Sequence, residues 1–510
     1  MPVSSRLTRN IAANLAGQSL LLVLGLVAVK FVFVRLGDDA LGIIYFTLTL
    51  NTLLCAALDL GISSTTVRQV SAHGPHDARY VEALVRTAAT FYWLAWAVLA
   101  VALWSAAPLL VTGWVNLTTL DAATATHALR VLGLGALTAL PRSLYASLFG
   151  GLQRMEVSNT IDVTTGALQQ LGTVVLLASG RGLLAVVYWF AVCYALGLAA
   201  YLTLTARALG PRALRPGYSA DVVARNRRFS AGMTSVSILG MIHMHADKVI
   251  VSRLLPLGTL GVWGFAASVV TRVSVLTGAV GQAALPSLSA LFHRGDHAGL
   301  LAQYRKIHDL VCLATVPLFA AIAFAAGPLL AALFDREIAA MLAAPVVLLC
   351  VGSYMSATLT IPYFVTLAVG RPGIAVQANV LALVAVLPVT ALLVWKLGLL
   401  GAGLAWIAYQ AFMYAYSVPR VCAECLATPA RRWYAHVLTI AALALATYGV
   451  IAALGRLAVP DAGIGARAAG YAIATAAFGA GAMKVMAGET RAVLARRWRS
   501  RAAAAGAGAR

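Results

Sequence analysis

Residues 11–34 read IAANLAGQSLLLVLGLVAVKFVFV, an apolar run whose only charge is Lys30. As a helix rising about 1.5 Å per residue it covers some 36 Å, enough to cross a hydrocarbon core of roughly 30 Å. Arg6 and Arg9 precede it, no Ala-x-Ala exit follows, and the run is too long for a signal-peptide core, so it is expected to be an uncleaved first transmembrane helix. Comparable runs recur to about residue 487 with only short polar loops between them. Of the 510 residues, 61% are hydrophobic and 11% charged, far from the roughly 25% charged of a soluble domain. The fold expected is an all-α polytopic membrane protein of about fourteen transmembrane helices.

The net charge of +21 would suggest nucleic acid in a soluble chain. Here the basic residues fall in alternate loops, 24 on one side against 7 on the other. That asymmetry points to membrane orientation with both termini cytoplasmic and an even number of spans. The link from Ala206 to Phe229 holds Pro211, Pro216 and six arginines, and it divides the chain. Expected regions are an N-lobe of six helices (1–205), a basic linker (206–229), a C-lobe of six (230–420), two additional helices (421–487) and a basic tail (488–510).

An internal repeat supports two lobes. Arg35-Leu36 and Leu41-Gly42 align with Arg253-Leu254 and Leu260-Gly261, and Asn159 with Asn379, at offsets near 220. Six helices per copy start each copy on the same face, which relates the lobes by a pseudo-two-fold axis along the membrane normal.

Ionisable residues at bilayer depth cost several kcal/mol unless they meet a partner or a wet cavity. Arg142, Arg272, Lys248 and Lys30 are candidate substrate contacts, and Asp247, His243 and Asp59 are candidates for ion coupling or ion pairing. Arg142 follows Pro141 in an expected fourth helix over 127–149, and Arg272 lies mid-way along the eighth. For both, the alternative is an interhelical ion pair, Arg272 with Asp247 being one. Asp247 and Lys248 point about 100° apart on a helix and so need not neutralise each other, whereas His243 and Asp247 share a face. Arg130 suits an interfacial anchor. Asp162 and Asp59 suit helix ends. Cations in the set outnumber acids, which favours an anionic ligand such as a phosphate or pyrophosphate. Tyr145, Trp189, Trp263, Tyr363 and Tyr409 offer rings to sugars or to helix packing. The Cys422-x-x-Cys425 pair lacks a second ligand pair and reads as small residues at a helix end.

No Gly-x-x-x-x-Gly-Lys-Ser/Thr loop is present to drive transport with ATP. No long outer loop with paired acids supports a membrane glycosyltransferase or polymerase. No cofactor or metal signature stands out, and nucleic acid is not expected as a partner.

The stretches Arg35-Leu-Gly-Asp-Asp-Ala-Leu-Gly42, Ala57-Leu-Asp-Leu-Gly61 with Arg68, Asp247-Lys-Val-Ile-Val-Ser-Arg253, Gly281-Gln-Ala-Ala-Leu-Pro286 and Leu397-Gly-Leu-Leu-Gly-Ala-Gly-Leu-Ala405 resemble those of bacterial polysaccharide-biosynthesis flippases. These are the Wzx-type members of the multidrug/oligosaccharidyl-lipid/polysaccharide (MOP) exporter superfamily. The resemblance implies two six-helix lobes working by alternating access in the bacterial cytoplasmic membrane. It implies as cargo an undecaprenyl-pyrophosphate-linked oligosaccharide, moved from inner to outer leaflet among membrane lipids, with a polysaccharide polymerase as a partner. It places Asp247 and Lys248 on the cavity side of the seventh helix and Asp59 in the Asp-Leu-Gly turn. The dense arginine pattern expected of lipid II flippases has no clear match. A small-molecule secondary exporter of the same superfamily is the other transport reading.

Overall fold

The computed structural model describes residues 3–73, 77–458 and 463–486. The expected basic tail at 488–510 lies outside them. Among the described residues the chain is helical throughout, with no named strand. The first half holds α1 (Val3–Leu36), α2 (Asp38–Leu58), α3 (Ile62–His73), α4 (Ala78–Gly113), α5 (Ala122–Leu137), α6 (Ala139–Gly151), α7 (Met155–Ala178), α8 (Leu183–Leu209) and α9 (Ala220–Leu254). The second holds α10 (Leu257–His293), α11 (His297–Leu333), α12 (Arg336–Ala368), α13 (Gly373–Leu397), α14 (Leu399–Glu424), α15 (Ala430–Ala444), α16 (Val450–Ala458) and α17 (Ile464–Val485).

Eleven spans among the described residues are long and apolar enough to cross a membrane. Outside these spans, α9, α14 and α17 are helices of 35, 26 and 22 residues, each long enough to cross a membrane by length. This is a multi-pass membrane protein of the expected all-α class. Helix starts in the two halves pair as Asp38 with Leu257, Ala78 with His297, Met155 with Gly373 and Leu183 with Leu399, each about 220 residues apart.

Many of the scarce acids mark where these helices begin. Asp77 accepts from Tyr80 N, Asp121 from Thr124 N, Asp296 from Gly299 N and Asp335 from Ile338 N, all at 2.8–2.9 Å. Each satisfies a backbone donor that the first helical turn leaves without a partner.

The chain divides into two compact units, Met1–Phe265 and Ala266–Arg510. In the first, α1 packs on α7, α4 and α8 pack on α5, and α9 packs on α2, α3 and α4. The expected C-lobe begins at 230, yet α9 is fastened within the first unit by polar contacts. Gln69 Nε2 donates to Asn226 Oδ1 (2.6 Å), Asn226 Nδ2 to Tyr80 Oη (3.1 Å), and the Thr65 and Ser230 hydroxyls meet at 2.7 Å. The expected linker is mostly ordered helix, ending α8, making a 3-10 turn at Pro211–Leu214 and opening α9; Arg86 Nε donates to Arg215 O. A core of Tyr92, Leu144, Tyr145, Phe149 and Tyr201 fills the space between α4, α6 and α8.

The repeated Leu-Gly pairs meet within the first unit. A Cβ on Gly42 would lie 2.3 Å from Leu257 O, and one on Gly261 would lie 2.6 Å from Gly42 N. Only glycine lets the start of α10 lie backbone to backbone on α2. Asp39 secures the same corner, its Oδ2 accepting from the backbone N–H groups of Thr118, Thr119 and Leu120 at 2.7, 2.6 and 3.0 Å.

In the second unit α12 packs on α11 and α14, α13 packs on α14, and α15 and α17 pack on α11. Its apolar clusters gather around Leu300, Ile361 and Val421, and around Cys312, Ile440 and Phe478.

Candidate functional site

The expected fourth helix is broken, and the break places Arg142. After α5 the Thr138 hydroxyl turns back to donate to Gly135 O at 2.6 Å. Pro141, which has no N–H to give, lies in the first turn of α6. Arg142 therefore projects from a helix start, where its guanidinium pairs with Asp162 Oδ1 of α7. Tyr201 of α8 donates its hydroxyl to the same carboxylate oxygen at 3.2 Å, and the guanidinium carbon lies 5.6 Å from the Tyr201 ring centre. The side chains of Arg142 and Asp162 remain 22% and 48% exposed, so the pair is only partly covered.

Asp59 joins a second set of hydroxyls beside this pair. Leu60 (φ 49°) and Gly61 (φ 66°) are both left-handed, a conformation that costs a non-glycine residue roughly 1–3 kcal/mol. The turn ends α2, and Asp59 Oδ1 accepts from Tyr92 Oη and Ser63 Oγ, each at 2.5 Å. Ser63 Oγ also lies 3.3 Å from Ser143 Oγ, one residue from Arg142. Two carboxylates, a guanidinium, two serine hydroxyls and two phenols thus line neighbouring positions at the end of α2 and on α3, α4, α6, α7 and α8. Asp59 and Asp162 suit helix ends in the sequence; Asp59 does end α2, whereas Asp162 lies within α7 against Arg142.

On α9, Asp247 and Lys248 do pair, with Lys248 Nζ 3.4 Å from Asp247 Oδ1. The expectation that adjacent residues need not neutralise each other is overturned because the lysine stem is long enough to fold back; Nζ also donates to Met244 O at 3.3 Å. Trp263 Nε1 donates to Asp247 Oδ2 at 2.7 Å. His243, one turn earlier, is partly buried. Lys30 is exposed on α1, and Arg272 is partly buried on α10 in the second unit. Arg130 Nε donates to Trp104 O at 3.0 Å, with its guanidinium 4.8 Å from that ring's centre.

The aromatic candidates separate. Tyr145 and Trp263 are fully buried and serve packing. Tyr409 stacks on Trp406 and donates to Asn379 Oδ1 at 2.9 Å. Trp189 donates to Leu168 O, and Tyr363 is exposed. Cys422 and Cys425 are buried free thiols at the end of α14. Tyr92, Ser63 and Ser143 were not singled out from the sequence, since hydroxyl residues in apolar helices are too common to signal a site before the fold brings them together.

Residues 32–342, more than half of the chain, match the model of a family described as polysaccharide biosynthesis protein. No curated protein matches the chain. Among solved structures it is similar to the lipid II flippase MurJ in an inward closed conformation, with TM-score 0.68 and 11% identity over 91% of this chain and 96% of that one. It is similar to an inward-facing multidrug resistance MATE family transporter of the MOP superfamily, with TM-score 0.65 and 14% identity over 79% and 94%. It is also similar to a MOP superfamily transporter from Pyrococcus furiosus, with TM-score 0.55 and 15% identity over 81% and 94%. At these identities the likeness establishes the fold, which is the one the sequence resemblance implies.

Proposed function

Because the chain belongs to the polysaccharide biosynthesis protein family, we propose that it is a flippase. Its cargo is an undecaprenyl-pyrophosphate-linked oligosaccharide, moved by alternating access from the inner to the outer leaflet of the bacterial cytoplasmic membrane for polysaccharide assembly. The observation that carries this reading is the family match across residues 32–342. The alternation of basic loops supports cytoplasmic termini, and a polysaccharide polymerase would receive the product.

Arg142 is the residue we assign to the pyrophosphate. Its planar fork suits a phosphate oxygen pair, and its present partner is a half-exposed carboxylate that an anion can displace without uncovering a buried charge. Lys30, exposed on the same unit, supplies a second cation. Lys248 and Arg272 keep the same assignment, with Asp247, His243 and Asp59 as the groups that balance charge or carry a coupling ion.

The test is the lipid-linked oligosaccharide pool of cells depleted of this protein, with leaflet assigned by an impermeant glycan-modifying reagent. Protected, inner-leaflet oligosaccharide should accumulate and clear when the intact chain is restored. An unchanged pool would contradict the reading and favour a small-molecule exporter; accumulation on the outer leaflet would place the protein after translocation.

A further inference from the structure

The second unit holds a polar cluster that transport of the head group does not use. His308 and Asp309 of α11 are each 3% exposed, and His436 lies in the second turn of α15. His436 Nε2 is 2.7 Å from Asp309 Oδ1. One donor atom from each of the three side chains lies within 4.8 Å of the other two. Around them are the buried apolar and aromatic groups Tyr304, Val311, Cys312 and Trp433. A carboxylate in such surroundings is costly unless it is compensated.

Two groups compete for His308 Nε2. Its Nε2 lies 3.1 Å from Thr358 O and also 3.1 Å from the indole Nε1 of Trp433. The carbonyl requires an N–H on Nε2, whereas the indole requires a lone pair there. Protonation on Nε2 serves the carbonyl and leaves the Nδ1 lone pair facing only the weak thiol donor of Cys312, whose Sγ is 3.7 Å away. An imidazole whose outer N–H is held by a backbone carbonyl is the usual arrangement of a metal-ligating histidine.

We propose that His308, Asp309 and His436 bind a divalent transition-metal ion, with Zn2+ as the best chemical fit, and that the ion ties α15 to α11. Two imidazoles and one carboxylate suit Zn2+ and its late first-row neighbours, while Na+, Mg2+ and Ca2+ favour all-oxygen sets. A tetrahedral Zn2+ with bonds near 2.0–2.1 Å spaces its donors by roughly 3.4 Å, within small side-chain adjustments of the present cluster. The ion would fasten the first helix beyond the duplicated set to the body of the second unit, a role separate from substrate contact.

The experiment uses the full-length chain purified in detergent, stripped with chelator, reloaded with Zn2+ and desalted. Elemental analysis should find about one Zn2+ per chain. Asp309→Asn, which keeps shape and removes charge, and His436→Gln should each lose that metal while eluting as a single folded species. Co2+ loaded into the unaltered chain should give d–d absorption that Zn2+ displaces. Metal absent from the unaltered protein, or retained equally by both variants, would overturn the site. Should the variants fail to fold, the Co2+ spectrum alone decides, and its absence overturns the proposal.

Discussion

At the scale of single residues, the charge inventory is legible in the sequence but its pairing is not. Arg142, Asp162, Asp247 and Lys248 all stand out as ionisable groups in apolar runs. That Arg142 meets Asp162 depends on the break at Thr138, which turns α6 toward α7, and that Lys248 meets Asp247 depends on a side-chain fold-back. The ion pair offers a way to separate structure from function at Arg142. Removing it in Arg142→Ala leaves a half-exposed carboxylate, so the stability cost should be about 1 kcal/mol or less. Exchanging the two charges in the double variant Arg142→Asp/Asp162→Arg should restore folded abundance to the level of the unaltered chain yet leave translocation several-fold reduced, because the cation then sits on α7. Abundance is read by fluorescence-detected size exclusion and translocation by leaflet assay. Full translocation in the exchanged variant would make the pair purely structural. Asp39 shows the reverse problem: it lies within a quoted motif, and only the structure reveals it as the acceptor for three backbone donors.

At the scale of elements, apolar run length predicts the helices well, since a helix in lipid must satisfy its own backbone groups. Their breaks are harder to read. α3 follows α2 because Leu60 and Gly61 adopt left-handed backbone, which no hydropathy pattern signals. The repeated Leu-Gly pairs were legible as anchors of a duplication, but not as the point where two backbones touch. Gly42→Ala and Gly261→Ala should each lower the thermal midpoint of the detergent-purified protein, at a cost of about 1–3 kcal/mol, because each new Cβ would meet backbone that cannot rotate away. Gly25→Ala on α1, with nothing within 4 Å of its Cβ position, is the control and should leave the midpoint unchanged or slightly raised. Equal midpoints for all three variants would remove the close crossing from the account.

At the scale of the whole molecule, the all-α membrane class and the repeat near 220 residues follow from composition and spacing alone. Where the compact units divide does not follow, because short polar contacts such as Gln69 with Asn226 bind α9 to the first unit against the order of the repeat. The cluster of His308, Asp309 and His436 was equally hidden, its members being far apart along the chain. The function proposed for the molecule is translocation of a lipid-linked anionic glycan. Its most direct measurement is reconstitution of the purified chain into liposomes carrying polyprenyl-pyrophosphate-linked oligosaccharide, followed by an impermeant glycan-oxidising reagent. With the protein present, the fraction modified should rise from the outer-leaflet share toward the whole pool, and Arg142→Ala should slow that rise several-fold. A fraction that stays at the outer-leaflet share, in liposomes whose protein is folded and inserted, would contradict the account.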